Sequence, residues 1–237
     1  WCESDYVSTR YVAELANSIT CVSLVATGVY GIYVHFDAVE LRYLVAFSSF
    51  VVIGLGSFAF HATLLRAMQL LDEVPMVWAN AVFIYICRTT EDPKNTSRLL
   101  EGIAIAAATV IATVAIAVLD SDNQNVFLLC YGSGVIYLVW KSYALCEASA
   151  SQTARLLFFT AMNCYATGFL LWLVDRLFCD SVRYLYLHTF WHFGADLGTY
   201  VALLLWIYVR LEWLGVRTKL CGYSPATWWV AVLAKDP

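Results

Sequence analysis

Long apolar runs divide this chain and constrain its fold more than any other feature. Each has roughly 20 residues, the length of helix that crosses a bilayer core about 30 Å thick. The seven runs cover residues 11–34, 43–65, 70–87, 102–119, 126–145, 156–179 and 184–208. Only a helix or a closed barrel satisfies the backbone in lipid, and these runs are too long for barrel strands. The sequence therefore predicts an all-α polytopic membrane protein, a seven-transmembrane helix bundle.

The composition agrees with a chain that is surrounded mainly by lipid. It is 61% hydrophobic and 14% charged, whereas a soluble domain is about half apolar and a quarter charged. The net charge of −4 and the lack of a basic stripe exclude nucleic acid as a partner. We expect one domain, with an acidic segment at 1–10, helices over 11–208 and a tail at 209–237. The tail ends in "TWWVAVLAKDP", which is typical of an interfacial segment rather than an eighth span.

Basic residues divide unevenly between the two sides of the predicted bundle. The side of the N-terminus has four: Arg10, Arg66, Arg176 and Arg183. The other side has ten: Arg42, Arg88, Lys94, Arg98, Lys141, Arg155, Arg210, Arg217, Lys219 and Lys235. Because Lys and Arg concentrate in cytosolic loops, we expect a cytosolic C-terminus and an N-terminus in the lumen or outside.

Three histidines fall at one depth of this topology. His61 ends the second span, and "HTFWH" puts His188 and His192 on one face at the start of the seventh, about 6 Å apart along the axis. Each could simply be a buried hydrogen-bonding residue, but ionisable residues in membrane spans are costly and usually mark function. Three protein ligands with one open position are typical of catalytic zinc, which we predict here. His35 lies on the opposite side, and we expect it at the surface.

Asp72, Glu73 and Ser57 accompany these histidines. Asp72 begins the third span at the same depth, where it is either a base that takes a proton from water or a helix N-terminal acid. Ser57 lies four residues before His61 and shares its face. It either holds a substrate carbonyl or oxyanion, or bonds its own backbone or a neighbouring helix. Glu73 is expected to stabilise the turn.

Asp196 extends the pair of His188 and His192 to the pattern HxxxHxxxD. It lies about 12 Å from His188 along the helix axis, too far for both to bind one metal ion. We expect it to hydrogen-bond His192 or to make a polar contact deeper in the bundle.

The N-terminal segment carries a second group of acids. "WCESDY" and the start of the first span supply Glu3, Asp5 and Glu14, hard oxygen ligands of the kind that calcium prefers. The spacing is not that of an EF-hand, and a solvated acidic end is the alternative.

Five stretches resemble the alkaline ceramidase family: "WCESDY", "GSFAFHATL", "MQLLDEVPM", "DRLFCDS" and "HTFWHFGADLGTY". The resemblance covers nearly the whole chain, and the adiponectin receptors belong to the same broader superfamily. It implies an intramembrane amidase of the endoplasmic reticulum or Golgi that cleaves ceramide to sphingosine and a fatty acid. It also implies zinc on His61, His188 and His192, with Asp72 deprotonating water and Ser57 assisting the carbonyl.

The resemblance further implies a calcium site at Trp1, through its backbone carbonyl, and at Glu3, Asp5 and Glu14. The family has an acidic residue just before the Trp, which this sequence lacks because it begins at Trp1. Asp5 stands where an Asn is familiar and would offset the lost charge. Asp196 stands where a small residue is familiar.

Eight cysteines are present and none forms a CxxC pair, which disfavours a zinc ribbon. Cys2 and Cys179 both fall on the predicted lumenal side, an oxidising setting. We predict a disulfide between them that pins the N-terminal segment to the end of the sixth span, with two free thiols as the alternative.

An enzyme is the function that these residues favour. Zinc polarises a carbonyl and activates water, and a carboxylate can carry the proton to the leaving amine of a lipid amide. A seven-span lipid or hormone receptor with structural zinc is the first alternative, but Asp72 and Ser57 beside an open metal position favour catalysis. A transporter or channel is the second, without an inverted repeat to support it.

Overall fold

The computed structural model describes residues 1–92, 98–120 and 124–233, and these residues form a helical bundle. Its helices are α1 (Leu15–Thr20), α2 (Val22–His35), α3 (Leu41–Thr63), α4 (Arg66–Thr89), α5 (Leu99–Leu119), α6 (Asn125–Ser149), α7 (Gln152–Leu177), α8 (Cys179–Val182) and α9 (Leu187–Trp213). With α1 and α2 taken as one segment, seven helices in the described part of the chain are long and apolar enough to cross a membrane. The predicted seven-helix architecture is therefore confirmed.

The ends of the predicted spans differ from those of the helices by up to five residues, and the start of the first span has an identifiable reason. The first span begins at Leu15 rather than at residue 11, because the Glu3 carboxylate accepts hydrogen bonds from the N–H groups of Ala16 and Asn17 and caps the helix there. The seventh span begins at Leu187 and continues to Trp213, five residues beyond the prediction.

The C-terminal tail is a β-hairpin where we expected an interfacial segment. Strand β1 (Thr218–Cys221) pairs antiparallel with β2 (Trp229–Val232), with Thr218 opposite Val232. The chain reverses after Gly222, whose φ of +107° favours glycine. Composition alone did not indicate this pairing, because β1 has only four residues and mixes polar with apolar side chains. Lys94 and Lys235 of the charge comparison lie outside the described residues.

His35 fastens this hairpin to the bundle, so the expectation of a surface residue was wrong. The side chain is fully buried and its ring stacks on Phe47, with centroids 5.3 Å apart. Its Nδ1–H donates to the carbonyl of Gly31 at 2.9 Å, which leaves Nε2 to accept from the Val230 N–H at 3.2 Å. The ring therefore joins the end of α2 to β2.

Helix α9 is the axis of the bundle. In the most apolar stretch of α9, 67% of the residues are buried inside the bundle. The corresponding share for α5 is 11%, so α5 lies at the outside of the bundle. Its closest neighbour is α7, where a Cβ added to Gly194 would lie 2.7 Å from the Cα of Gly168. Small residues let two membrane helices approach closely, and this contact holds the helix that carries two of the three site histidines.

We expect Gly194→Ala to lower the melting temperature of the purified protein, because the added methyl has no space against α7. Overpacking of this kind costs about 1–3 kcal/mol. The matched control is Gly132→Ala, where no heavy atom lies within 4 Å of the added Cβ and stability should hold or rise slightly. Thermal unfolding of both variants in one detergent makes the comparison, and equal melting temperatures would contradict the packing argument.

Candidate metal centre

The three histidines singled out by the sequence pattern lie together in the structure. His61 comes from the last turn of α3, and His188 and His192 come from the first turns of α9. The ring centroid of His61 is 5.1 Å from that of His188 and 5.0 Å from that of His192, and the latter two are 4.7 Å apart. All three side chains are buried. The three imidazole rings thus cluster at one point of the bundle.

Hydrogen bonds behind two of the rings fix their tautomers. His61 Nδ1–H donates to Glu14 Oε2 at 2.6 Å, which leaves Nε2 free. The Thr20 hydroxyl donates to carbonyls of its own helix and therefore accepts from His192 Nδ1–H at 2.8 Å. Burial raises the pKa of Glu14, but its hydrogen bond and charge interaction with His61 outweigh this and keep the pKa below its usual value. Such partners are those that orient metal-binding imidazoles.

The ring of His188 is oriented by stacking on Trp1. Its ring lies 4.2 Å from the indole of Trp1 at an interplanar angle of 16°. Its Nδ1 is buried and has no hydrogen-bond partner among the described residues. A buried nitrogen without a partner is costly, and a bound metal ion would remove that cost. Sequence reasoning gave Trp1 only a backbone role and did not anticipate that its ring covers the site.

Cys21 is a neighbour of the site that sequence reasoning missed. Within the described part of the chain, one set of at least three His, Cys, Asp or Glu residues has all its ligand atoms within 4.8 Å of one another, namely Cys21, His61 and His192. The thiol donates to the carbonyl of Asn17 at 3.1 Å and lies 3.8 Å from His192 Nδ1. It therefore lies beside the nitrogen of His192 that bonds Thr20.

Ser57 and Asp72 lie beside His61, as the residue pattern led us to expect. Ser57 is buried, and its hydroxyl neighbours both the Asp72 carboxylate and the Cys21 thiol. Asp72 lies in the second turn of α4 and interacts electrostatically with His61. A carboxylate in this position can accept a proton from water, and the hydroxyl can donate to a carbonyl oxygen.

Glu73, the next residue, makes a separate set of polar contacts. Its Oε1 accepts from the side-chain amides of Gln69 and Gln124, each at 2.7 Å, and its Oε2 lies 3.8 Å from the Arg66 guanidinium. These contacts tie the start of α4 to the residue that precedes α6. Glu73 therefore has a structural role, of the kind expected from the sequence, with partners from two parts of the chain.

The four residues predicted to bind calcium are only partly assembled. Glu3 caps α1, and Glu14 Oε1 lies 3.5 Å from the backbone nitrogen of Trp1. Asp5 is exposed to solvent. Asn17 donates to Glu14 through its side-chain amide, and its buried Oδ1 has no partner among the described residues. The structure thus brings Trp1, Glu3 and Glu14 to the start of α1 and leaves Asp5 at the surface.

The N-terminal segment is also attached to the end of α7 and the start of α8. The structure joins Cys2 to Cys179, with Cα atoms 5.2 Å apart. The Cys2 N–H donates to Asp175 Oδ2 at 3.3 Å, and Asp175 also faces the backbone N–H of His188. Sequence reasoning gave Asp175 no role. Its position in the last turn of an apolar span was the available signal.

A cavity of about 110 Å³ lies deeper in the bundle, and Asp196 contributes to its wall. Asp196 Oδ2 accepts from the Thr27 hydroxyl at 3.0 Å. Of the two contacts expected for Asp196, the structure therefore shows the deeper one rather than a bond to His192.

We expect Glu14→Gln to weaken metal retention about 10- to 100-fold, because it removes the charge that holds His61. Metal content after dialysis against graded chelator, in calcium-free buffer, measures the effect. Glu147→Gln, at an exposed position, is the control and should retain metal like the unmodified protein. Equal retention in both variants would mean that the Glu14 bond does not support the centre.

Comparisons with known proteins agree with the architecture and with the motif resemblance. The family model described as Ceramidase matches residues 1–231. The chain is 33% identical to alkaline ceramidase 3 of Mus musculus over 95% of this chain and 90% of the relative. It is 30% identical to the alkaline ceramidase of Caenorhabditis elegans (95% and 85%) and 27% identical to that of Drosophila melanogaster (95% and 82%). This chain belongs to the ceramidase family.

Proposed function

We propose that this protein is an intramembrane, zinc-dependent amide hydrolase that cleaves ceramide to sphingosine and a free fatty acid. Relatives similar along most of their length are named alkaline ceramidases, which supports the substrate and a role in sphingolipid metabolism. The observation that carries the metal assignment is the buried triad of His61, His188 and His192 with rings 4.7–5.1 Å apart. A site among membrane helices suits a substrate that arrives from the bilayer.

The donor set fits zinc. Imidazole nitrogens are preferred zinc ligands, and the bonds from Glu14 and Thr20 leave Nε2 of His61 and His192 available. The third position is supported by the buried Nδ1 of His188, which has no partner among the residues that the structure describes. When bound, zinc supplies a Lewis acid that polarises the amide carbonyl and makes water more acidic.

The remaining steps fall to side chains of this protein. Asp72 takes a proton from the attacking water as the water oxygen bonds to the carbonyl carbon. The Ser57 hydroxyl donates to the carbonyl oxygen as negative charge develops there. When the carbon–nitrogen bond breaks, Asp72 returns the proton to the leaving amine, so the products are a carboxylic acid and an amine.

The direct test is product analysis by mass spectrometry with the purified protein and a panel of ceramides. We expect sphingosine and fatty acid from the unmodified protein. Asp72→Asn should lower turnover about 10²- to 10⁴-fold with zinc retained, because it removes a proton acceptor. His188→Ala should lose both zinc and turnover, whereas the control His35→Ala should keep zinc. Bound zinc without amide cleavage in the unmodified protein would favour a receptor with structural zinc.

Calcium is the second proposed cofactor, held by the Trp1 carbonyl, Glu3, Asp5 and Glu14. The supporting observations are hard oxygen donors gathered at the start of α1 and the unpartnered, buried Oδ1 of Asn17 beside them. Because Glu14 also bonds His61, calcium bound to Glu14 would hold the carboxylate that orients the His61 ring.

We expect calcium chelation to lower ceramide turnover while zinc content stays constant. Asp5→Ala should shift the calcium dependence to higher concentration, because Asp5 does not contact the zinc ligands. A titration from chelator upward, with zinc measured in parallel, tests this. Constant turnover across the titration would exclude the calcium proposal.

We further propose a protein of the endoplasmic reticulum or Golgi membrane with its N-terminus in the lumen and its C-terminus in the cytosol. The excess of basic residues on the C-terminal side supports this orientation. A lumenal side would also permit the Cys2–Cys179 disulfide that the geometry favours.

When the free thiols are alkylated before isolation, we expect one pair of cysteines to stay unalkylated. This protected pair should be absent in Cys2→Ser and in Cys179→Ser. Intact mass with and without reductant gives the count, and Cys221→Ser is the control outside the pair. Full alkylation of Cys2 without reductant would contradict both the disulfide and the lumenal position.

A further inference from the structure

One oxygen of the buried Asp196 carboxylate has no hydrogen-bond partner in the described part of the chain. The residue is 6% exposed, so its carboxylate is almost entirely removed from solvent. Oδ2 accepts from Thr27, and Ser23 is a further hydroxyl neighbour of the carboxylate. Oδ1 has no hydrogen-bond partner within the described residues. An unpaired buried carboxylate oxygen is costly and needs an explanation beyond packing.

Asp196 lines the deep cavity, which begins one helical turn from the metal centre. The helices around it contribute residues four positions along from Thr20, Asp72 and His192, a distance of about 6 Å. Helix α3 runs in the opposite direction and contributes the residue four positions before Ser57. These lining residues are Leu24, Met76, Asp196 and Ile53. The cavity therefore lies close to where the reacting amide would bind, within reach of a chain attached to it.

The rest of the cavity wall suits a hydrocarbon chain, and none of its described polar groups hydrogen-bonds Asp196 Oδ1. Its lining is predominantly apolar, with aromatic and aliphatic side chains. Two tyrosines in the wall, Tyr131 and Tyr165, bond to each other at 2.8 Å. The Asn80 amide donates to the carbonyl of Tyr131 at 2.9 Å. Within the described residues no polar group of the wall, Ser142 and Thr199 included, bonds Oδ1 of Asp196, so a hydroxyl of the cavity's occupant can donate to it.

We propose that Asp196 makes this enzyme selective for ceramides with an additional hydroxyl group on the chain next to the amide. The hydroxyl would donate to Oδ1 while the remaining chain packs against the apolar wall. This inference rests on the proposed function and specifies its substrate class. The hydroxyl has two possible sources, the fatty acyl chain or the sphingoid base.

The test uses matched pairs of ceramides that differ by one hydroxyl, one pair in the acyl chain and one in the base. We expect kcat/KM for one hydroxylated member to exceed that of its partner at least about tenfold, because a site built for a hydroxyl discriminates strongly against its loss. Asp196→Gly should reduce this ratio to near one, and Asp196→Asn should reduce it partly. Thr199→Val, which alters another polar residue of the same wall, should keep the ratio.

The pair that responds identifies the source of the hydroxyl. Ratios near one for both pairs in the unmodified protein, or a ratio that persists in Asp196→Gly, would overturn the proposal. Thermal stabilisation by each lipid gives a reading that needs no turnover. Selective stabilisation by a hydroxylated lipid, lost in Asp196→Gly, would support the binding role even if no ceramide were cleaved. In that case the hydrolase assignment alone would fail.

Discussion

The paired contacts between Glu14 and His61 are the constraint on which the site depends. The Glu14 carboxylate accepts from the ring Nδ1–H at 2.6 Å, and the Glu14 backbone N–H donates to the carbonyl of His61 at 3.0 Å. The adjacent residue adds a third bond, from the Ala13 N–H to the carbonyl of Ala62. One short segment thus fixes both the end of α3 and the ring orientation at a buried position.

The N-terminal segment reaches the other ligand helix by a different route. Cys2 is joined to Cys179 and bonds Asp175, while Trp1 stacks on His188. The segment therefore spans from α3 to α9 across one end of the site. This arrangement explains how a proposed calcium site in the segment would influence chemistry at the histidines: it would alter the support of the rings without replacing a ligand.

The main features of the fold were predictable because lipid imposes simple rules. Apolar length located all seven spans, and the alternation of spans placed His61, Asp72 and the α9 histidines at one depth. Contacts between distant segments were not predictable in the same way. Thr20 lies 172 residues from His192, and Asp175 lies 173 from Cys2, so no local periodicity links them. The hairpin and the burial of His35 were missed for the same reason, since both depend on how the tail folds back onto α2.

The metal centre that we propose is built from three imidazoles, with the Cys21 thiol, 3.8 Å from His192 Nδ1, outside the ligand set. X-ray absorption at the zinc edge of the purified, zinc-loaded protein measures the ligands directly. The proposal predicts three nitrogen ligands and one oxygen ligand, with the same spectrum in Cys21→Ala. A sulfur ligand that disappears in Cys21→Ala, or a spectrum unchanged in His188→Ala, would contradict it.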